Sequence, residues 1–231
     1  LKIKVLTYNV HSCIDINKKR SLYRIGALVK SVSPDIAGLN EIEKHSFRTY
    51  FINQPKKIAR LASMDYFFGP TLKLGPFGLF GNGILTSKKI SNVQNFPLPG
   101  NREPRCCLKV QLDVPGGPVT VLVTHLGLAG GERLQQLAEL VRIIESSPGP
   151  LILMGDFNCN YEELGPLLNV VIDTDVKRQP EPTFPSWCAA HRLDYIFTTP
   201  HFRCIEHFAI ASDASDHLPV AAVLELKTLH N

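Results

Sequence analysis

Apolar residues in this chain gather in short runs separated by polar and Gly/Pro-containing breaks, and only a few stretches carry a helical period. Lys2–Val10 is rich in β-formers and predicts a strand. Ser21 caps a helical pattern in which Leu22, Ile25, Leu28, Val29 and Val32 share a face, and Ser33-Pro34 stops it. Ile36–Leu39 predicts a short buried strand running into Asn40 and Glu41. Gln54–Ser63 predicts a helix after Asn53. The clearest helix is Glu132–Ile144, where Leu134, Leu137, Ala138, Val141 and Ile144 line one side before the break at Pro148-Gly149-Pro150. Further strands are predicted over Ile84–Thr86, Cys106–Val114, Val119–Thr124, Leu151–Met154, Leu193–Thr198, Phe202–Ile210 and Pro219–Leu226. Strands outnumber helices and many are joined by short turns, so the pattern points to α+β layers with antiparallel pairing. Two segments read as long irregular loops of functional type, Gly69–Gly83 and Gln179–Ala190. Neither a repeat nor a linker-like stretch is evident, so residues 1–231 are expected to form one domain.

Composition narrows the class. With 231 residues, 44% hydrophobic and 20% charged, the chain is neither a disordered tail, a collagen-like repeat nor a coiled coil. No apolar run approaches the ~18 residues of a membrane span. The net charge of +4 and pI near 8.7 lean weakly towards anionic substrates. They fall short of the basic stripe, with pI above ~9, of a dedicated nucleic-acid binder. The six cysteines form no C-x-x-C pair, which suggests buried thiols in a reducing cytoplasm and an expected monomer. The chain begins at Leu1 without a Met, so a removed leader stays open.

Polar groups recur where apolar strands end: Asn9 with His11, Glu41 with Glu43, His125, Asp156 with Asn158, Asp194, and Asp216-His217. Any one alone is an ordinary turn former or cap. Together they are oxygen-rich and poor in thiolate, a donor set that suits Mg²⁺ or Mn²⁺ over zinc. Glu43 is set aside as not sharing a strand face with Glu41.

The series Thr7-Tyr8-Asn9-Val10, Asn40-Glu41, Gly81-Asn82-Gly83, Thr124-His125-Leu126, Gly155-Asp156-Phe157-Asn158, Leu193-Asp194-Tyr195 and Ser215-Asp216-His217 resembles the endonuclease/exonuclease/phosphatase superfamily, the DNase I-like metal-dependent phosphoesterases. The motifs keep the family's order and span nearly the whole chain. The resemblance implies a four-layer α/β/β/α sandwich of two packed, mainly antiparallel sheets. It implies metal ligation by Glu41, with Asn9 and Asp216 lining the metal site. It also implies water activation by Asp156, water and phosphate contact by Asn158, phosphate contact by His217 oriented by Asp194, and phosphate stabilisation by His125. Several nuclease members carry an aspartate where this chain has His11. His11 and Arg105 are the candidate substrate contacts.

The family covers DNA, RNA and phospholipid-type esters, so the resemblance implies a divalent-metal-dependent phosphoesterase acting on a nucleic acid or a phospholipid headgroup. The alternative is a catalytically silent phosphate-binding member, and retention of Glu41, Asp156, Asp194, Asp216 and His217 argues for activity. The basic runs Lys18-Lys19-Arg20, Lys56-Lys57, Lys88-Lys89 and Lys177-Arg178, with Arg102, make no clear stripe. Thr124–Leu128 followed by Glu132, Arg133 and Gln135, and Thr183-Phe184-Pro185-Ser186 leading to Arg192, resemble a small bacterial branch, some of whose members are connected with phospholipid metabolism. The segment 69–83 is accordingly a candidate peripheral membrane lip through Phe77 and Phe80, against the simpler reading that these rings pack on the core.

Overall fold

The computed structural model describes residues 1–177 and 180–227; Arg178 and Gln179 lie outside the described residues. Two six-stranded mixed sheets pack face to face, with helices on both outer surfaces, as an α+β sandwich of four layers. The first sheet has the order β11-β12-β1-β2-β4-β3, with β1 at Lys2–Asn9, β2 at Ile36–Lys44, β3 at Asp65–Leu74, β4 at Gly78–Thr86, β11 at Phe202–Ala209 and β12 at Val220–Leu226. The second has the order β5-β6-β7-β8-β10-β9, with β5 at Lys89–Leu98, β6 at Arg105–Val114, β7 at Gly117–His125, β8 at Leu151–Asp156, β9 at Ile172–Asp173 and β10 at Asp194–Thr198. Each sheet has one parallel pair, β1/β2 and β7/β8, and each pair is joined through a helix. These are α1 (Leu22–Val32) and α3 (Gly130–Glu145), while α2 (Gln54–Ala62) packs beside α1. Among the described residues no helix is long and apolar enough to cross a membrane.

Alternation along the central strands builds three apolar layers. Ile3 and Val5 of β1, Val121 and Val123 of β7, and Ile152 and Met154 of β8 fill the space between the sheets. Their neighbours Leu6 and Tyr8 face α1 and α2, whereas Leu122, Leu151 and Leu153 face α3. Both strand faces are therefore covered, which is why these strands read as unbroken apolar runs.

Three readings need correction. The segment 69–83 is not an irregular loop but a β3–β4 hairpin turning at Gly75-Pro76-Phe77. Its glycines serve close approach: a Cβ on Gly81 would lie 2.1 Å from the Gly69 carbonyl oxygen. Pro70 is tolerated because β3 is an edge strand. Within the hairpin Phe80 is buried, as the core-packing reading expected, while Phe77 at the turn is 72% exposed. Secondly, β5 was missed because it is an edge strand with mostly exposed side chains and little alternation. Thirdly, Glu41 and Glu43 are two apart and would share a face of a regular strand. They part because β2 has a bulge between Leu39 and Ile42, with Glu41 in the left-handed region at φ 55°. Glu43 is fully buried and its Oε1 accepts from Arg48 at 2.5 Å.

Candidate active site

The sandwich brings the polar strand ends together at one edge. Asn9 closes β1 opposite Asn40 of β2, and His125 closes β7 opposite Asp156 of β8. The carboxyl ends of both parallel pairs thus converge, and β10 adds Asp194 opposite Asp156. The Ser215–Leu218 turn before β12 supplies Asp216 and His217. A cleft of about 420 Å³ opens there, lined by Glu41, Arg105, His125, Asp156, Asn158 and His217, with Phe80 and Phe184 among its apolar walls.

Three asparagines of the first sheet reach across to the second. Asn9 Nδ2 donates to Glu41 Oε1 and Asp156 Oδ2, both at 3.0 Å. Asn40 donates to the Thr124 carbonyl at 2.8 Å and accepts from the Asp156 backbone at 3.0 Å. Asn82 accepts from Asn40 at 2.9 Å and donates to the Cys106 carbonyl at 3.1 Å. These buried amides satisfy polar backbone that strand bonding leaves open, and they fix how Glu41 stands relative to Asp156.

His217 is the charged centre of the cleft floor. Its Nδ1 lies 2.8 Å from Asp194 Oδ2, and its Nε2 lies 3.7 Å from Asp156. Burial opposes protonation of His217, but the Asp194 carboxylate outweighs it, and with Asp156 and Asp216 raises the imidazole to about 10. Asp194 in turn accepts from Thr183 Oγ1 at 2.6 Å, while its Oδ1 finds no partner among the described residues. Phe184 covers the ring, centroid to centroid 4.8 Å. Asp156 is raised too, which for a carboxyl favours the neutral form: burial lifts it to about 7, opposed by His217 and reinforced by Asp194.

His125 stays neutral. Burial, then the charges of Arg105 and His217, hold it well below the usual histidine range. Arg105 Nη1 lies 2.8 Å from its Nδ1 and the Asn158 amide nitrogen 3.0 Å from its Nε2, which itself stands 3.4 Å from Asp156 Oδ2, so donors face both ring nitrogens and the neutral ring can accept at only one of them. Asn158 packs against the same ring edge and donates to the Leu126 carbonyl at 2.9 Å. Arg105 is itself paired with Glu103 at 2.9 Å, and its buried Nε has no partner among the described residues. His11 leaves the strand face in a short 3-10 turn, with its backbone N–H on Asn9 Oδ1 and its Nδ1 3.7 Å from Asp216. All ten candidates therefore gather at this end of the sandwich.

Sequence reasoning assigned no role to Thr183, Phe184, Asn40 or Asn82, although each stood in a quoted motif. Asx and hydroxyl contacts across the fold leave no local signal. The bacterial-branch residues are mostly structural: Glu132 Oε1 accepts from the backbones of Asn101 and Arg102 at 2.8 and 3.0 Å, and Arg133 pairs with Glu163.

The donor set fits a hard divalent cation. Glu41 and Asp156 line a cleft in which His125 is neutral and Arg105 is paired with Glu103, while Asp194 stands behind His217 and Asp216 beside His11, leaving His217 as the balancing charge. Asp156, Asp194 and His217 offer ligand atoms within 4.8 Å of one another and could hold an ion. His217 Nδ1, however, is engaged by Asp194, whereas Glu41 is half-buried at the cleft wall with one oxygen uncommitted.

The chain is 28% identical to YbhP of Escherichia coli K12 over 96% of each protein. Among solved structures, an endonuclease/exonuclease/phosphatase from Beutenbergia cavernae superposes with a TM-score of 0.82 at 24% identity, over 97% of this chain and 72% of that one. A mannosyl-6-phosphatase of Bacteroides thetaiotaomicron gives 0.81 at 18%, over 97% and 100%. These two share the fold. The model of the Endonuclease/Exonuclease/phosphatase family matches residues 6–217, and the chain belongs to that family, whose members hydrolyse phosphoester bonds and generally use divalent metals.

Proposed function

We propose that this protein is a divalent-metal-dependent phosphoesterase that hydrolyses a phosphodiester, in nucleic acid or in a phospholipid headgroup. The observation that supports it is the convergence of Glu41 and Asp156 with His217 in one cleft, with Asp194 holding the far side of the His217 ring. Glu41, Asn9 and Asp216 would hold Mg²⁺ or Mn²⁺. When bound, such an ion neutralises charge on the phosphoryl group and steadies the leaving oxygen. Asp156, held by Asn9 and the Asn158 backbone, takes the proton of the attacking water. His125 and Asn158 contact and stabilise the phosphate oxygens. His217, kept charged and oriented by Asp194, meets the charge that builds up in the transition state. Arg105 and His11 contact the substrate from the two sides.

Hydrolysis of bis-p-nitrophenyl phosphate tests this directly, with p-nitrophenyl phosphate beside it because one structural neighbour is a sugar-6-phosphatase. EDTA abolishes the activity and Mg²⁺ or Mn²⁺ restores it. Activity indifferent to chelation removes the metal reading, and preference for the monoester removes the diester. Plasmid DNA, abasic-site DNA, RNA and phospholipids, run against an Asp156 variant, then separate the substrate classes.

A further inference from the structure

Large aromatic side chains lie exposed just beyond the cleft. Phe47 is 73% exposed, Tyr50 68%, Phe51 57% and Phe77 72%. The first three sit in the loop that follows β2, the strand carrying Glu41. Phe77 sits in the β3–β4 turn, and the two tips touch: Lys44 pairs with Leu79, and a Cβ on Gly78 would lie 2.9 Å from the Cα of Ser46. Lys44 lies three positions beyond Glu41 on the strand, so the aromatic tip begins about 10 Å past the site.

Cations frame this tip. Between Glu43 and Gly78 the sequence holds six Lys and Arg (Lys44, Arg48, Lys56, Lys57, Arg60 and Lys73) and a single acid, Asp65, which opens β3 at the far end of the sheet. The modest net charge of the whole chain conceals this asymmetry. Lys18, Lys19 and Arg20 join from the preceding loop, and the Arg20 guanidinium lies 3.4 Å from the centroid of Tyr50. Lys57 covers Tyr23 in the same way at 5.3 Å. The nearby acids are tied up: Glu43 is fully buried and engaged by Arg48, and Asp15 is buried and paired with Arg24.

From this we infer that the paired tips at 45–52 and 75–77 dock the protein on an anionic lipid surface, with Phe47, Phe51 and Phe77 entering the interface and the Lys/Arg frame meeting the headgroups. Exposed rings beside a cationic frame carry both halves of interfacial binding. The shape favours a bilayer over a nucleic acid. The rings stand on two adjoining turns with Ile52 exposed beside them, an apolar tip, whereas single-strand binding calls for a groove that tracks a backbone. The surface stands apart from the chemistry, and its test reads binding alone, so failure of hydrolysis leaves it untouched.

Co-sedimentation of the full chain with vesicles decides it. The protein pellets with phosphatidylcholine vesicles containing 30% phosphatidylglycerol and much less with pure phosphatidylcholine, and added salt releases it. Phe47→Ser with Phe77→Ser weakens partitioning at least about tenfold, and each of Lys18→Gln and Lys19→Gln about fivefold. In a Trp187→Phe background, Phe47→Trp fluorescence is quenched by brominated acyl chains. Overturning results are no pelleting with anionic vesicles, equal binding by the Phe double variant, or an unquenched Trp at position 47. Binding of a single-stranded oligonucleotide that the Phe variant abolishes, without vesicle binding, would also overturn it in favour of nucleic acid.

Discussion

Thr183 is the most informative perturbation, because its hydroxyl alone steadies the acid behind His217. Oγ1 donates to Asp194 Oδ2 at 2.6 Å and accepts from the backbone nitrogens of Leu193 and Asp194 at 3.2 and 3.3 Å. Thr183 is 1% exposed, and the other Asp194 oxygen is already without a partner. Thr183→Val keeps the shape and deletes the hydroxyl. Losing a hydrogen bond to a buried carboxylate costs about 1.5–3 kcal/mol, and the weaker backbone contacts add to it. The expected loss is about 2–4 kcal/mol, or roughly 5–15 °C in melting temperature for a chain of this size. Urea unfolding followed by Trp187 fluorescence measures it. Thr183→Ser, which keeps the hydroxyl, recovers most of the loss, and catalysis by the Val variant falls in kcat as Asp194 loosens its hold on His217. A Val variant within about 0.5 kcal/mol of wild type, or a Ser variant as damaged as Val, refutes the reasoning.

Asp156→Asn lowers kcat at least about 10²-fold while leaving the circular dichroism spectrum intact, and a variant as fast as wild type reassigns the base. Gly155→Ala disrupts folding outright, because φ is 148° there and a Cβ would lie 1.9 Å from the Thr124 carbonyl oxygen; a soluble variant with native stability contradicts that geometry. Among the cysteines, exposed Cys188 reacts first with a thiol reagent at pH 8. Burial pushes Cys106 and Cys159 up to about 12, and Cys13 and Cys107 higher still, so raising the pH to 9 leaves these four protonated and slow; mass spectrometry finding early labelling at Cys106 would undo this.

The candidate site was legible because its residues stand where apolar runs stop. Asp156 after Leu151–Gly155 and His125 after Val119–Thr124 interrupt strands covered on both faces, and a charge there needs a reason. The hairpin at 65–86 was not legible, since glycine and proline signal loops in a sequence while here they admit close backbone approach and an edge. Glu43 was set aside for a reason that fails: the left-handed backbone at Glu41 parts the two acids, and such strain shows in dihedral angles alone. Of the two tips in the proposed docking surface, the one at Phe77 was already a candidate lip in the sequence, whereas the one at Phe47 was not, because the two rings are thirty positions apart and only the fold sets Ser46 against Gly78.

The asparagine bridge has a wider consequence. Valines and isoleucines between the two sheets attract without direction, so such a greasy contact alone tolerates sliding by fractions of an ångström. Asn9, Asn40 and Asn82 act as a key in a shaft, locking the alignment of the two slabs at the end where chemistry requires it. Distant substitutions that merely thin the oily middle should therefore soften the protein before they misalign its working parts, whereas one amide replaced at the edge would strip buried groups of their partners and throw the working parts out of true together.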